Sequence, residues 1–242
     1  SRHLHWMAES MRRSFADRNT WLGDPDFVDC YLERLLDPEY LSEKAASIQP
    51  EEATPSTSLV SEETLPKESE QTTHYSVVDK HGNGVAVTTT LNGSFGSKVL
   101  VPGAGFLLNN EMDDFTARPG VPNLFGLVQG KPNAIAPGKR PLSSMSPTVC
   151  LSDGTDNAEE VLAVLGTPGG PTIITNVFQV LYALDHLKLS PELAVTMPKM
   201  HHQCFPDRLD VEKSVPQSTL GLLKVMNHTI GTRNSIGDSQ LI

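Results

Sequence analysis

The sequence predicts an α+β protein built in layers, and three observations predict it. THYSVVD and VAVTTTLN alternate apolar and polar residues on either side of DKHGNG, which reads as a β-hairpin. GTPGGP leads from the apolar run VLAVLG into TIITNVFQVLYALDHL, whose Ile173, Ile174, Val177, Phe178, Leu181 and Leu184 share one helical face, the pattern of a helix packed on a sheet. The opening stretch SRHLHWMAESMRRSFADRN is itself amphipathic, with Leu4, Met7, Ala8, Met11 and Phe15 on one face. Hairpins and helices covering a sheet in this order give an α+β layer architecture.

Residues 1–46 read as helices. After the first, Asp24-Pro25 and Asp37-Pro38 each place a capping side chain before a proline in the first turn, and Phe27, Val28, Tyr31, Leu32 and Leu35 continue a helical stripe. Residues 47–71 are SIQPEEATPSTSLVSEETLPKESEQ, with six glutamates against one lysine, no aromatic residue and no period. Such a segment buries too little apolar surface to offset chain entropy and is expected to be a disordered linker. The hairpin follows at 72–92, with further strands near Ser146 to Leu151 and Val161 to Gly166. After the helix at 172, Ser190-Pro191-Glu192 caps another, RLDVE is a short strand, and Pro216 to Met226 is a last helix. The chain opens on Ser1 inside a helical pattern, so a fragment of a longer polypeptide is expected.

At 242 residues with 38% apolar content the chain can bury a sizeable core. A formal net charge of −10 argues against non-specific binding to nucleic acid or anionic membrane, both of which need clustered Lys and Arg. Cys30, Cys150 and Cys204 are odd in number and widely spaced, which indicates neither a disulfide framework nor a zinc site. No stretch approaches the roughly 18 to 20 apolar residues of a membrane span.

The junction Gln71-Thr72 is the chemically unusual point, because a strand begins at once beside the linker. A cut there would leave threonine with a hydroxyl nucleophile and a free α-amine in one residue. The amine has a reference pKa of about 7.7 to 8.0 and can take the hydroxyl proton at neutral pH. An ordinary β-branched strand residue after a linker reads the same way, so other segments have to decide. Thr88, Thr90 and Asn92 leave one face of the second hairpin strand, opposite Val85, Val87 and Leu91. Any half-exposed strand also shows this; in the catalytic reading Thr90 bonds the nucleophile and Asn92 holds substrate. LLNNEMDDF carries Glu111, Asp113 and Asp114, either a solvated acidic loop or a receiver for an ammonium group. KRPLSSMSP sets Ser143 and Ser144 in a proline-bounded loop. Gly169 and Gly170 stand at a strand-to-helix turn whose N–H groups suit an oxyanion hole, a phosphate or close packing. The turn lacks the GK[ST] ending of a nucleotide P-loop. His201-His202 is a poor metal pair, since adjacent side chains in a strand point opposite ways. Asn92-Gly93-Ser94 and Asn227-His228-Thr229 match the glycosylation sequon, and a glycan on Asn92 would block the proposed pocket.

Taken in order, TTHYSVVD, TLNGSFG, LLNNEMDDF, GKRPLSSMSPT and GTPGG resemble the gamma-glutamyltransferase (gamma-glutamyltranspeptidase) family of N-terminal-nucleophile hydrolases, over nearly all of Thr72 to about Val211. WLGDPDF and the rest of residues 1–46 resemble the end of that family's large subunit. The resemblance implies a four-layer αββα sandwich, here partial, with 1–46 from the large subunit, 47–71 a linker ending at the autoprocessing bond, and 72–242 the catalytic small subunit without its last strands. It implies a zymogen that cuts itself at Gln71-Thr72, after which Thr72 attacks γ-glutamyl amides such as glutathione. The γ-glutamyl ester passes to water or to an acceptor amino acid or dipeptide.

By motif, Thr90 supports the nucleophile, while Asn92, Glu111 and Asp114 hold the α-ammonium. Ser143 and Ser144 bind the α-carboxylate, and the Gly169 and Gly170 N–H groups stabilise the oxyanion. Phe125, in RPGVPNLFGLVQGK, matches the family's lid. No cofactor and no metal is implied. The partner implied is the large subunit, and the location periplasmic or extracellular. The family's carboxylate-binding arginine precedes Ser1, and Lys139 and Arg140 correspond to structural positions. Two other readings stand beside this one: an acylase acting on another amide, such as a cephalosporin side chain, and a non-catalytic homologue serving as a subunit or interaction module.

Overall fold

The computed structural model describes residues 2–60, 72–118, 121, 123, 127–152 and 160–242. In chain order its helices are α1 (Arg2–Trp21), α2 (Leu32–Leu35), α3 (Pro38–Ala46), α4 (Thr172–Asp185), α5 (Pro191–Thr196) and α6 (Gln217–Val225). Its strands are β1 (Thr72–Val78), β2 (Gly84–Thr90), β3 (Thr148–Leu151), β4 (Val161–Gly166), β5 (Met200–His201), β6 (Leu209–Glu212), β7 (Ile230–Arg233) and β8 (Gln240–Leu241). Two compact units are formed: Ser1–Glu68 with Glu111–Ser143 and Met200–Asn234, and Ser69–Asn110 with Ser144–Lys199 and Ser235–Ile242.

In the first unit, β6 pairs antiparallel with β5 and parallel with β7. Met7, Ala8 and Met11 of α1 pack with Met200, Leu209 and Val211 of this sheet and with Leu220 and Leu223 of α6. Phe15 meets the His201 ring edge-on at 5.6 Å. The apolar face expected of α1 is therefore the buried one. The helix is buried beyond that face as well, because His5, Glu9, Arg12, Arg13 and Arg18 are also inaccessible.

Two expectations for this unit are corrected. The helix expected from Pro25 is a turn followed by the four-residue α2, and Phe27, Tyr31 and Leu32 are exposed. Asp24 Oδ1 accepts the Asp26 N–H of that turn at 3.2 Å, as a capping side chain does, and the same carboxylate also takes Arg140, whose Nη2 donates to Oδ1 at 2.6 Å and whose Nε and backbone N–H donate to Oδ2. Tyr31, at φ +50°, takes a left-handed conformation that ends helical continuation. Asp37 caps α3 as expected, accepting from the Glu39 and Tyr40 N–H groups. Residues 47–60, expected to be disordered, are ordered: Ile48, Ala53 and Ser56 are buried. Composition misleads here because the segment is held by buried polar partners on α1 rather than by apolar area.

In the second unit, β1 and β2 form the expected hairpin, in register from Thr72 opposite Thr90 to Val78 opposite Gly84. Asp79 Oδ1 closes the turn by accepting from the His81 and Asn83 N–H groups. β3, β4 and β8 form an antiparallel sheet. On one side Ala163 and Leu165 of β4 receive Ile173, Val177, Val180 and Ala183 of α4, with Leu181 and Leu184 packed against them, so the expected face is the one turned to the sheet except that Phe178 is exposed. On the other side β4 meets the hairpin: Ser76 Oγ donates to the Val164 carbonyl at 3.2 Å, and Gly166 lies against the His74 ring. The order helix, sheet, hairpin is the α+β layering predicted.

The hairpin turns its polar face inward. His74 is buried, whereas Tyr75, Val77 and Val85 are exposed.

Candidate active site

Thr72 is the first residue of β1, and the hairpin register brings Thr90 opposite it. The Thr72 hydroxyl reaches toward Thr90 Oγ1 at 3.5 Å, the outer limit of hydrogen bonding, and Thr90 Oγ1 accepts the Asn92 N–H at 2.8 Å. An open pocket of about 270 Å³ is lined by Thr72, Thr90, Leu91, Gly93 and Phe95 among others. Asn92 is placed by a different route from the one its spacing suggested. β2 ends at Thr90, and Asn92 lies beyond it at φ +72°, 3% exposed, with Nδ2 donating to the Asn110 carbonyl at 3.2 Å. Its other side-chain atom, Oδ1, is the one it can offer to an ammonium.

The hairpin packs on β4 in a two-residue step: Ser76 meets Val164 and His74 meets Gly166. β4 ends at Gly166, two residues before the turn at Pro168 to Gly170 that leads into α4, and His74, two residues after Thr72, lies against that end. Gly169 and Gly170 have φ of +135° and +56°, conformations that exact a steric penalty from residues with a Cβ. Their carbonyls are used, with Gly169 O accepting from the Thr172 N–H and hydroxyl and Gly170 O from the Ile173 N–H. Among the described residues neither glycine N–H is engaged. Two such donors beside a helix N-terminus are suited to an oxyanion. Ser144, in this unit, has a carbonyl that accepts from Ser146 Oγ at 3.1 Å.

His74 was not picked out by the sequence reading. It is two residues from Thr72 on the same strand face, with Nδ1 2.7 Å from Thr88 Oγ1 and Nε2 3.1 Å from Ser76 Oγ. Burial holds its pKa below the usual histidine value.

The first unit holds a second group of candidates. Glu111 and Asp114 lie in one 3-10 turn, Glu111–Asp114, and are hydrogen-bonded to each other. Burial, the Glu111 charge and that hydrogen bond push Asp114 up to about 7, while Arg18 pulls it down. Burial also raises Glu111. The two carboxyls therefore share one proton near neutrality, the state that a cationic ligand would replace.

Arg18 of α1, 6% exposed, donates from Nη2 to the Ser143 carbonyl at 3.4 Å and from Nη1 to Asn19 Oδ1. It is the site-proximal residue that motif reading missed, since an arginine on an amphipathic helix gives no sign of burial. Burial lowers its pKa to about 10, against the pull of Asp114. Lys139 is structural as expected, donating to the Pro132 and Ala134 carbonyls. Gln71 and Phe125 lie outside the described residues.

The Gamma-glutamyltranspeptidase family profile matches residues 1–242. The chain is 45% identical over 236 residues to the glutathione hydrolase proenzyme of Escherichia coli K12, covering 98% of this chain and 40% of that protein. It is 46% identical over 247 residues to the glutathione hydrolase proenzyme of Pseudomonas aeruginosa, covering 100% of this chain and 42% of that protein. It thus spans about two fifths of the length of these curated relatives. Among solved structures, an acivicin-inhibited gamma-glutamyltranspeptidase superposes with a TM-score of 0.66 at 48% identity, over 70% of this chain and 88% of that one. A Helicobacter pylori gamma-glutamyltranspeptidase mutant gives the same TM-score and identity over 70% and 89%. A cephalosporin acylase from Bacillus halodurans, at 22% identity and a TM-score of 0.73 over 99% of this chain and 40% of that one, shares the fold alone. By profile, sequence identity and superposition the chain belongs to the gamma-glutamyltranspeptidase family.

Proposed function

We propose that the full-length protein is a self-processing gamma-glutamyltransferase and glutathione hydrolase with Thr72 as its nucleophile. The observation that carries this reading is Thr72 at the start of β1, its hydroxyl 3.5 Å from Thr90 Oγ1 beside an open pocket, in the same unit as a turn whose two glycine N–H groups are unengaged among the described residues. In the precursor, Thr72 Oγ1 attacks the Gln71 carbonyl carbon. The peptide C–N bond breaks, the nitrogen takes the proton and becomes the Thr72 α-amine, and water hydrolyses the resulting ester. In turnover that amine accepts the hydroxyl proton while Oγ1 attacks the γ-carbonyl of glutathione or a related amide. Gly169 and Gly170 stabilise the oxyanion, the leaving amine takes the proton, and a γ-glutamyl ester remains on Thr72. Water, an amino acid or a dipeptide then resolves it.

Asn92, Glu111 and Asp114 are assigned to the α-ammonium, and Ser143 and Ser144 to the α-carboxylate. A zwitterionic head needs acceptors at one end and donors at the other. The carboxyl pair that shares a proton is suited to exchanging it for an ammonium. Processing leaves a heterodimer of large and small subunits. We assign the protein to the periplasm or cell exterior on the family resemblance, which fractionation of cells tests; no helix among the described residues is long and apolar enough to cross a membrane.

Full-length protein run on a denaturing gel is expected to give two bands, the smaller beginning TTHYS. A chromogenic γ-glutamyl anilide is expected to turn over faster when glycylglycine is added. Thr72→Ala is expected to abolish both cutting and turnover, and activity surviving that change removes Thr72 from the role.

A further inference from the structure

The turn ahead of α4 carries two adjacent glycines, and glycine leaves the peptide planes on either side of it free to swing. Donors that serve an oxyanion have to be held in place before the charge develops. A trans peptide is planar, with its C=O and N–H pointing opposite ways, so whatever grips a carbonyl also aims the N–H of the next residue. The Gly169 N–H belongs to the plane of the Pro168 carbonyl, and the Gly170 N–H to the plane of the Gly169 carbonyl. Each of these carbonyls is gripped by a buried threonine. Thr167 Oγ1 donates to the Pro168 carbonyl at 2.9 Å, and Thr172 Oγ1 donates to the Gly169 carbonyl at 2.8 Å. Thr167 and Thr172 are 0% and 1% exposed.

The two grips differ in what backs them. The Gly169 carbonyl also accepts the Thr172 N–H at 3.1 Å, so the start of α4 holds that plane even without the hydroxyl. The Pro168 carbonyl has no second donor among the described residues. Its one donor is steered from outside the turn, because Thr167 Oγ1 accepts the Asp238 N–H at 2.8 Å and keeps its single hydrogen for Pro168.

Asp238 sits in a strap, residues 236–239, that is tied down at both ends. Asn176 of α4 is buried; its Nδ2 donates to the Ile236 carbonyl and its Oδ1 accepts from Ser239 Oγ, both at 2.5 Å. Just beyond, β8 pairs with β4, with Gln240 opposite Gly166 and Leu241 opposite Leu165. Between them Gly237 passes so close that a Cβ there would collide with Thr167 Oγ1 and Asn176 Nδ2. Turn, strap and strand all belong to the second unit, which also holds Thr72.

We propose that Thr167 is a positioning residue for the reaction: its hydroxyl, steered by the strap at Asp238, fixes the Pro168-Gly169 peptide plane and so aims the Gly169 N–H. The inference rests on the reading of the two glycine N–H groups as oxyanion donors. Thr167 acts through that plane and not on the substrate. Loss of its hydroxyl therefore weakens the hold on a tetrahedral oxyanion and leaves binding of the planar ground state as it was.

The test uses the full-length, processed protein. Thr167→Val keeps the shape without the hydroxyl and is expected to lower kcat for a γ-glutamyl anilide about tenfold to a hundredfold, with KM little changed. Thr167→Ser, which keeps the hydroxyl, is expected to recover most of the loss. A glutamate analogue with a boronic acid in place of its γ-carboxyl becomes tetrahedral when Thr72 Oγ1 adds to the boron. Its affinity is expected to fall by the same factor as kcat in Thr167→Val, while glutamate itself binds as before. Parent-like kcat and boronate affinity in Thr167→Val overturn the inference, as does a loss that serine does not recover or that weakens glutamate equally. Gly237→Ala presses a methyl against the same hydroxyl from the strap and is expected to show the same split between boronate and glutamate. Its absence there counts equally against Thr167, which keeps the test decisive where Thr167→Val folds poorly. A parent that turns over no anilide and takes no boronate overturns the oxyanion reading, and this inference with it; a parent-like Thr167→Val leaves that reading standing.

Discussion

Asp114 titrates near neutrality because of its neighbours, and Arg18 is the neighbour that keeps it from titrating higher. The pair it forms with Glu111 binds a cation only after giving up its shared proton, so donor affinity is expected to fall as pH drops below about 7. Arg18→Met removes the opposing charge and raises Asp114 further. A shift of one pKa unit corresponds to about 1.4 kcal/mol, or tenfold. At pH 7, which lies at the starting value, such a shift cuts the deprotonated fraction about fivefold, so the KM of the full-length enzyme for a γ-glutamyl anilide is expected to rise about fivefold, with kcat little changed and the difference shrinking by pH 9. Arg18→Lys, which keeps the charge, is expected to recover most of the loss. A KM increase that is the same at pH 7 and pH 9 would mean that Arg18 acts through packing and not through the Asp114 charge.

At the scale of elements, the tightest match between the hairpin and β4 is the His74 ring against Gly166. A Cβ on residue 166 would fall within the ring, in backbone that cannot yield without displacing β4. Gly166→Ala is expected to cost about 1 to 3 kcal/mol by overpacking, seen as a lowered thermal midpoint, and to slow self-cutting by moving the strand that starts with Thr72. Unchanged cutting with lowered stability would separate the hairpin's packing from its catalytic placement. The period-2 pattern made β1 and β2 legible, and cap chemistry made α3 and α5 so, since Asp37 and Ser190 act within three residues. The candidate residues Thr72, Thr90, Gly169 and Gly170 are picked out by the motif resemblance and not by any local period, and their roles rest on the proposal above. What was illegible depended on distant partners. Asp24 reads as a cap and accepts the Asp26 N–H, but nothing local shows that Arg140, 116 residues away, shares its carboxylate. Residues 47–60 read as disordered until Glu9, Arg12 and Asp207 supply their bonds. Two-residue strands such as β5 and β8 carry too few residues to show any period.

For the molecule as a whole, the buried histidines set how stability depends on pH. Burial lowers His201 to about 3 and His228 to about 4, and it lowers His74 and His202 as well. Each is neutral when folded and takes up a proton on unfolding below its ordinary value near 6.5. Stability from these groups is therefore complete above about pH 6.5 and is lost as pH falls toward their folded values. Asp114 acts in the opposite sense, because its raised pKa lets the folded chain bind a proton that the unfolded chain releases above about 4. Around pH 5.5, His201 and His228 together release close to two protons on folding and Asp114 binds close to one. His74 and His202 add to the histidine side, and Glu111 to the carboxyl side. From His201, His228 and Asp114 the balance is about one proton, so stability is expected to rise with pH by roughly 1.4 kcal/mol per unit between pH 5 and 6. Urea midpoints measured at half-unit steps check the slope. Asp114→Asn, which removes the opposing group, is expected to steepen it by about one proton. A flat or falling curve in the parent chain would mean that the histidines are not held neutral by burial.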